Sequence, residues 1–148
     1  MTPPMLKGEF NVKLTDKNRL ALPAEIRKEL KGKYVISRGY EGCLILLDEM
    51  RWEKLIKLIT IEPILNLSVR DTYRFIIGGA EDIDLDKQGR FVLPESLRIY
   101  AQIKTEATFL GISEWVEIWS QESWKKKLAY LQQNAADIAE KLLKTNEK

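Results

Sequence analysis

A short segment occurs twice in this chain, and this duplication constrains the fold more than any other feature of the sequence. The first copy begins at Asp16 and the second at Asp86. Four residues of the first copy recur 71 positions later in the second. They are Arg19, Leu22, Pro23 and Arg27, and their equivalents are Arg90, Leu93, Pro94 and Arg98. Such self-similarity indicates a repeated structural unit. The chain is therefore predicted to contain two copies of one turn, strand and helix.

The polar part of each copy predicts a tight turn. Asn18 and Gly89 occupy its tip, and both residue types adopt positive φ more readily than others. An arginine follows each tip, and three strand residues come next. Proline is then expected at the first position of a helix, which in the first copy extends over about residues 23–31. Ile26 and Leu30 are four residues apart and are expected to face one core.

The pattern of apolar residues predicts the other elements. Alternation, or a short apolar run between turn residues, indicates strands at about residues 10–14, 34–38, 43–47, 107–112 and 115–119. Trp115 and Trp119 of the last strand are expected to point to one face. A helix is expected after Asp48, which is placed to cap it. A second helix is expected after Ser68, which forms a capping-box pattern with Asp71.

The C-terminal segment has the spacing of a helix with one apolar stripe. From Gln121 onward, apolar residues are separated by four or three positions, as in a heptad repeat: Trp124, Leu128, Leu131, Ala135, Ile138 and Leu142. The Trp124 end is expected to pack against the rest of its own chain. The part beyond Gln132 could contact a neighbouring subunit.

The composition argues against an enzyme. The 148 residues include no His and one Cys, Cys43. This excludes most nucleophile–base pairs, Cys/His zinc sites and an intrachain disulfide. Cys43 lies in a predicted strand and is interpreted as a core residue. Asp82, Asp84 and Asp86 alternate along a strand and could bind a cation, but a solvated sheet edge is the favoured interpretation. We therefore predict no catalytic residue, no metal and no cofactor.

No membrane-spanning or secretory segment is predicted. The sequence has no run of about 18 apolar residues, the length that suggests a transmembrane helix. Residues 1–4 lack the charged start and apolar middle of a signal peptide. A cytoplasmic location without a membrane partner is therefore expected.

The two copies differ in charge, although the net charge of the whole chain is only +2. Residues 1–40 carry 9 basic and 4 acidic side chains, net +5, whereas residues 81–120 carry 4 basic and 8 acidic side chains, net −4. Because phosphate contacts supply much of the affinity of DNA-binding proteins, DNA is expected to approach the first copy. Its basic residues include Lys13, Lys17, Arg19, Arg27, Lys28, Lys31, Lys33 and Arg38. The alternative is that both surfaces are ordinary solvated ones.

Three motifs together resemble the MraZ family of bacterial transcription factors. They are the paired turn with Leu-Pro behind it, the run Arg-Gly-Tyr-Glu-Gly-Cys-Leu at 38–44, and Glu-Ile-Trp at 117–119 before a Trp-led helix. The resemblance covers about residues 5–130. It implies a mainly β fold with short helices, in which an internal duplication forms a tandem AbrB/SpoVT-like swapped-hairpin (double-split) β-barrel, followed by a C-terminal helix.

The resemblance also implies a division of the chain and a function. The first SpoVT-AbrB-like repeat is expected at 5–60, a connecting helix at 61–79, the second repeat at 80–130 and a C-terminal helical extension at 131–148. Members of such a family are expected to form a ring of identical subunits. The ring is expected to bind double-stranded DNA at short repeated promoter boxes, including those of the division and cell-wall gene cluster, and so to be associated with the nucleoid.

DNA contact is expected from basic and polar residues in and beside the two turns: Lys13, Lys17, Asn18, Arg19, Arg27, Lys87 and Arg90. Arginine can read O6 and N7 of guanine, and lysine can contact phosphate. Alternatively, Arg19 could pair with a carboxylate and hold the turn. The family pattern Asp-x-x-x-Arg is present at Asp86 and Arg90, but Thr15 occupies the Asp position of the first copy. It is therefore open whether the first turn is stabilised in the same way.

The sequence is also compatible with two other functions. The chain could be an AbrB-type, antitoxin-like protein whose long C-terminal helix binds a partner protein, or a purely structural ring without affinity for DNA. The opposite charges of the two copies suggest how a ring would close. If the first copy of one subunit meets the second copy of the next, the contact is heterologous, and such contacts form rings when the geometry permits.

Overall fold

The computed structural model describes residues 5–59 and 64–146 of the chain, which form mainly antiparallel β-sheet with short helices. The strands are β1 (Glu9–Lys13), β2 (Arg19–Ala21), β3 (Tyr34–Arg38), β4 (Leu44–Asp48), β5 (Glu81–Ile83), β6 (Arg90–Val92), β7 (Glu106–Ile112) and β8 (Trp115–Ser120). The α-helices are α1 (Ala24–Arg27), α2 (Glu49–Ile59), α3 (Leu67–Ile76), α4 (Glu95–Tyr100) and α5 (Gln121–Asn146). The predicted fold class, with its C-terminal helix, is confirmed.

Both sheets contain strands of the two copies, so neither copy builds a sheet from its own strands alone. The larger sheet has the order β1-β7-β8-β4-β3-β5, and β2 pairs with β6 in a separate two-stranded ribbon. Strand β1 of the first copy pairs with β7 of the second. Reciprocally, β5 of the second copy pairs with β3 of the first. This exchange of strands interlocks the two copies.

Equivalent apolar residues of the two copies fill one core. Leu20, Leu22 and Ile26 pack in the same buried cluster as their equivalents in the second copy, Phe91, Leu93 and Leu97. All six are at most 3% exposed. The rings of Phe91 and Phe109 lie nearly perpendicular with centroids 6.5 Å apart, a favourable aromatic arrangement. The copies are therefore expected to fold together as one unit.

Helix α1 is shorter than predicted, and both prolines lie one position before their helices. Pro23 has the non-helical angles φ −54° and ψ 135° and is the N-cap residue of α1, and Pro94 precedes α4 in the same way. Helix α1 ends at Arg27. Beyond it, the amides of Glu29 and Leu30 donate to carbonyls three residues earlier, over 3.0 and 3.2 Å. This tighter winding ends the α-helix, so the prediction of a helix over 23–31 was wrong.

The caps of α2 and α3 differ in how well the sequence predicted them. The carboxylate of Asp48 accepts from the amide of Arg51 over 3.1 Å, which confirms the predicted cap of α2. The capping box of Ser68 and Asp71 is wrong, because α3 begins one residue before Ser68. Asn66 caps it instead, accepting from the amide of Val69 over 3.1 Å. The predicted boundary between residues 60 and 61 lies outside the described residues.

Helix α5 is attached to the sheet by its first turns. The Trp124 ring packs on Trp119 with centroids 5.5 Å apart, and its Nε1 donates to Glu9 over 2.7 Å. Trp115 and Trp119 both donate to the carboxylate of Glu117, which confirms that they share a face. From residue 135 to residue 145 every side chain of α5 is exposed. No helix within the described ranges is long and apolar enough to cross a membrane.

Candidate nucleic-acid interface

The two predicted turns have the same backbone geometry. In the first, the amide of Thr15 donates to the carbonyl of Arg19, and the amide of Asn18 donates to the carbonyl of Thr15, both over 3.0 Å. In the second turn the same two bonds, of 2.8 and 3.0 Å, join the equivalent residues Asp86, Gly89 and Arg90. The tip residues Asn18 and Gly89 have φ of 58° and 76°, as the sequence predicted.

Each tip is fixed by the opposite copy. The amide of Leu93 donates to the carbonyl of Asn18 over 2.8 Å, and the amide of Leu22 donates to the carbonyl of Gly89 over 2.9 Å. These two bonds extend the β2–β6 ribbon symmetrically at both ends. The turns are therefore held by long-range backbone bonds as well as by their own.

The β2–β6 ribbon presents both turn arginines on its outer face. Its central pair, Leu20 and Phe91, is buried. Because side chains alternate along a strand, the flanking residues Arg19 and Arg90 point away from the core. Arg19 lies opposite Val92, two residues from Arg90, so the two arginines are diagonal neighbours with Cα atoms about 7–8 Å apart. One exposed face thus carries an arginine from each copy.

Asp86 holds the second turn and its arginine together. Its Oδ1 accepts from the amides of Gln88 and Arg90 over 2.8 and 3.0 Å. Its Oδ2 accepts from Nε of Arg90 over 3.0 Å. The amide of Arg90 is the main reason that the pKa of Asp86 lies below its usual value. The carboxylate therefore remains charged and keeps the Arg90 side chain against its own turn.

Thr15, at the equivalent position of the first turn, bonds the backbone of the turn arginine but not its side chain. Its Oγ1 accepts from the amide of Arg19 over 3.0 Å, as Oδ1 of Asp86 does in the second turn. A hydroxyl has no second oxygen that could accept from the guanidinium. Within residues 5–59 and 64–146, the Arg19 side chain forms neither a hydrogen bond nor an ion pair. The first turn is thus stabilised without an internal partner for its arginine.

The other candidate residues lie on or near this face. Lys17, Asn18 and Lys87 are exposed at the two tips. Arg27 of the first copy lies over the second tip, since a methyl group built on Gly89 would overlap its Nη1. The turns thus bring basic groups of both copies together.

Lys13 lies to one side, in an open depression of about 540 Å³ beside the first turn. The depression is also lined by Asp16, Asn18, Lys104 and Glu106, so its charge is mixed. Lys104 was missed by the motif analysis. It follows Lys33 by 71 residues, the spacing of the repeat, and this equivalence was the available signal.

Arg38 is not part of the exposed basic surface. Its guanidinium donates to the carbonyls of Phe75 and Arg74, both over 3.0 Å, and lies 5.2 Å from the centre of the Phe75 ring. It therefore fastens α3 to the sheet, and two of the donors that were expected to approach DNA bond within the chain instead. Lys28 forms an exposed ion pair of 2.8 Å with Glu25, which leaves it accessible.

The chemistry offered by the β2–β6 face is the recognition of anions and hydrogen-bond acceptors. No group of three or more possible metal ligands occurs within the described ranges. Cys43 is buried, and burial raises the pKa of its thiol to about 12, so it is not a nucleophile at neutral pH. What remains is a rigid pair of turns with exposed guanidinium and ammonium groups. Such groups suit phosphate and the guanine edge.

Comparison with known proteins gives a consistent result. The sequence profile of a family described as "MraZ protein, putative antitoxin-like" matches residues 5–74 and 76–146. A protein from Syntrophomonas wolfei named "Transcriptional regulator MraZ" is 37% identical over 139 residues, covering 94% of this chain and 97% of the relative. Proteins of the same name from Pediococcus pentosaceus and Clostridium acetobutylicum are 34% and 38% identical, covering 94% and 81% of this chain and 97% and 84% of their own lengths.

Proposed function

The chain belongs to the MraZ family, and we propose on this basis that it is a DNA-binding transcriptional regulator. Relatives that match nearly the whole chain are named "Transcriptional regulator MraZ", which supports the regulatory part of the proposal. The proposal assigns it no catalytic activity and a cytoplasmic, nucleoid-associated location. The observation that carries the proposal is the Arg19 guanidinium, which is half-buried on a turn held by backbone hydrogen bonds and has no partner among the described residues.

In the proposed mode of binding, the first turn reads the DNA sequence. Arg19 enters the major groove and donates two hydrogen bonds to O6 and N7 of a guanine. Lys17 and Arg27 contact phosphates and fix the position of the turn on the duplex. A guanidinium without an internal partner exchanges only its bonds to water when it binds a base, whereas Arg90 must also give up its bond to Asp86. Arg19 is therefore the main reader, and Arg90 with Lys87 plays a smaller part.

The proposed target is a promoter with short repeated boxes, bound by an oligomeric ring. A ring presents one first turn per subunit, so repeated boxes are bound with the gain in affinity that linked sites provide. The promoter of the division and cell-wall gene cluster is the proposed example. In this proposal the repeats at 5–60 and 80–130 form the ring body, joined by 61–79, and 131–148 extends from it.

The test is direct binding of the protein to DNA. A duplex with regularly spaced G-rich boxes is compared with a single-box duplex and with a scrambled duplex, at two salt concentrations. We expect at least about a tenfold preference for the repeated boxes over the scrambled sequence. Each phosphate contact should contribute roughly 0.9 to the slope of log K against log salt concentration. Equal, weak binding to all three duplexes would contradict sequence-specific recognition.

A second candidate is an antitoxin-like function in which the chain binds another protein. The description of the family as antitoxin-like supports this second candidate. It predicts no preference among the three duplexes and a stable complex with a protein partner. The ordered helix α5 counts against it, because a tail that folds on binding is expected to be disordered when free.

A further inference from the structure

Lys104 of the second copy lies beside the first turn, although the proposed mode of binding gives it no role. The antiparallel register of β1 and β7 continues past the ends of both strands, because the amide of Leu14 donates to the carbonyl of Thr105 over 2.8 Å. One step further along this register, Lys104 stands opposite Thr15, the first residue of the turn. Both residues line the open depression beside the turn. A lysine of the second copy is thus attached to the base of the first-copy turn.

The ammonium group of Lys104 is available to a ligand. Its side chain is exposed, and within residues 5–59 and 64–146 it forms neither a hydrogen bond nor an ion pair. The residue opposite it, Thr15, is uncharged, and its Oγ1 already accepts from the amide of Arg19. The second turn has the carboxylate of Asp86 at this position. Thr15 therefore leaves two cations, Arg19 and Lys104, without a carboxylate at this point of the turn.

The depression as a whole is not a basic patch. Asp16 and Glu106 line it together with Lys13 and Lys104, so its lining carries no net charge. Glu106 lies directly opposite Lys13 in the register, and its Oε1 accepts from Nδ2 of Asn11 over 3.0 Å. Lys13 thus faces a carboxylate, whereas Lys104 faces a hydroxyl. The depression therefore offers one well-placed ammonium group and not a broad positive surface.

The second turn has no equivalent arrangement. Lys33 is the counterpart of Lys104, since the two residues are separated by the repeat spacing of 71. The register of β3 and β5, continued by one residue, places Lys33 opposite Asp84. The counterpart of Lys104 thus faces a carboxylate and stands before the second turn, not at its first residue. The difference follows the one between Arg19 and Arg90, because in both cases the first turn leaves its cation without an acidic neighbour.

The first turn stands between Lys104 and the second turn. Its incoming strand, β1, continues beside the segment that carries Lys104, and its outgoing strand, β2, pairs with β6. The major groove is about 12 Å wide and has a sugar–phosphate strand on each side. A group that flanks a turn inserted in this groove therefore meets the backbone of the DNA and not the base edges.

We infer that Lys104 contacts a phosphate of the DNA strand that passes beside the first turn. This inference rests on the proposed function and adds to it a contact from the second copy, so that the reading site is built from both copies. The ligand is a backbone phosphodiester, which a lysine binds as a point charge at the end of a flexible stem. Such a contact fixes the position of the turn on the duplex and carries no sequence information itself.

The test is the salt dependence of DNA binding by Lys104→Ala. Wild type and variant are titrated with a short duplex that carries one G-rich box and with a scrambled duplex of the same length, between about 50 and 200 mM salt. We expect the slope of log K against log salt concentration to fall by about 0.9 for both duplexes. The affinity lost at the lower salt concentration should then exceed that lost at the higher one about threefold. The preference for the box should be unchanged, because a phosphate contact weakens all sequences alike.

Two further variants serve as controls. Lys104→Arg keeps the positive charge and should restore the slope of wild type. Lys125→Ala removes the same charge from an exposed position on α5, outside both turns and the depression, and should leave the slope unchanged. Because Lys104 and Lys125 are exposed, all three variants should keep the urea midpoint and the oligomeric mass of wild type.

The outcomes separate this inference from the proposed function. An unchanged slope in Lys104→Ala, with a wild type that prefers the box, would overturn the inference and leave the proposed function intact. Equal changes of slope in Lys104→Ala and Lys125→Ala would reveal only a long-range effect of charge and would also overturn it. A wild type without preference for the box would contradict sequence-specific recognition, whereas a slope lowered only in Lys104→Ala would still support the phosphate contact. A wild type that binds neither duplex would overturn both.

Discussion

Asp86 accepts a hydrogen bond from Nε of Arg90 over 3.0 Å, and this bond distinguishes the two turns of an otherwise symmetric ribbon. The first turn has Thr15 at the position of Asp86, and Thr15 bonds only the backbone of Arg19. The backbone of the turn is thus the same in both copies, whereas the freedom of the arginine differs. This difference leads to the proposal that the two copies have unequal roles in DNA recognition.

Replacing Thr15 by Asp should give the first turn the bond that holds the second. Asp at this position can accept from the amide of Arg19 and also from its guanidinium, as Asp86 does for Arg90. We expect Thr15→Asp to fold normally and to lose about tenfold in affinity for the specific duplex, the effect of roughly 1.4 kcal/mol. The matched control is Thr15→Asn, which keeps an acceptor without the negative charge and should bind within about threefold of wild type. Equal affinities of the two variants would contradict this explanation.

Stability should depend on the ionisation of Asp86. The pKa of this carboxyl is lowered in the folded protein, chiefly by the amide of Arg90. A group with a lowered folded pKa stabilises the protein above its unfolded pKa and loses this contribution as the pH falls through the folded value. In urea unfolding, wild type should therefore be more stable than Asp86→Asn at pH 7, and the difference should shrink as the pH falls below about 4. A difference that stays constant down to pH 2.5 would contradict this role.

Replacing Gly89 by Ala should be unfavourable for two reasons, and two variants can measure them separately. Its φ is 76°, and a methyl group there would overlap the guanidinium of Arg27. Gly32 has φ of 77° with open space around it, so Gly32→Ala measures the backbone cost alone, about 1–2 kcal/mol. Gly89→Ala should lose a similar amount and, because Arg27 must move, should also weaken DNA binding. Urea unfolding and DNA titration of both variants provide the test, and unchanged DNA affinity in Gly89→Ala would remove Arg27 from the interface.

The shared core predicts one cooperative unfolding transition for both copies. Phe91 is 1% exposed and packs with core residues of both repeats, so Phe91→Ala should lower the free energy of unfolding by about 3–5 kcal/mol. The neighbouring Val92 is 55% exposed, and Val92→Ala should cost less than about 0.5 kcal/mol. Trp fluorescence and far-UV circular dichroism should give the same midpoint. Two separate transitions would show that the copies fold independently.

The sequence allowed the local features of the fold to be predicted, because they depend on residues that are close together in the chain. The positive φ of Asn18 and Gly89, the burial of Cys43 and the cap at Asp48 follow from such local chemistry. Errors arose at helix ends, where several residues could cap. Asn66 was overlooked in favour of the Ser68 pattern, which lies two residues later.

The relation between the two copies could not be predicted in the same way. Pairing of β2 with β6 joins residues 69 to 73 positions apart, and no periodicity indicates which partner a three-residue strand will choose. The position of Arg27 over Gly89 and the freedom of Arg19 both depend on that pairing. The candidate residues were therefore identified from their type and spacing, whereas the difference between Arg19 and Arg90 required the structure.

The central claim is that Arg19, and not Arg90, is the main reader of the DNA sequence. The most direct measurement is the affinity of Arg19→Ala and of Arg90→Ala for the repeated-box duplex and for the scrambled duplex, each with its oligomeric mass checked. Loss of a bidentate contact to guanine costs about 1–3 kcal/mol, so Arg19→Ala should lose its preference for the boxes by roughly 5- to 150-fold. Arg90→Ala should lose less than about threefold. Equal losses in the two variants, or a larger loss in Arg90→Ala, would contradict the account.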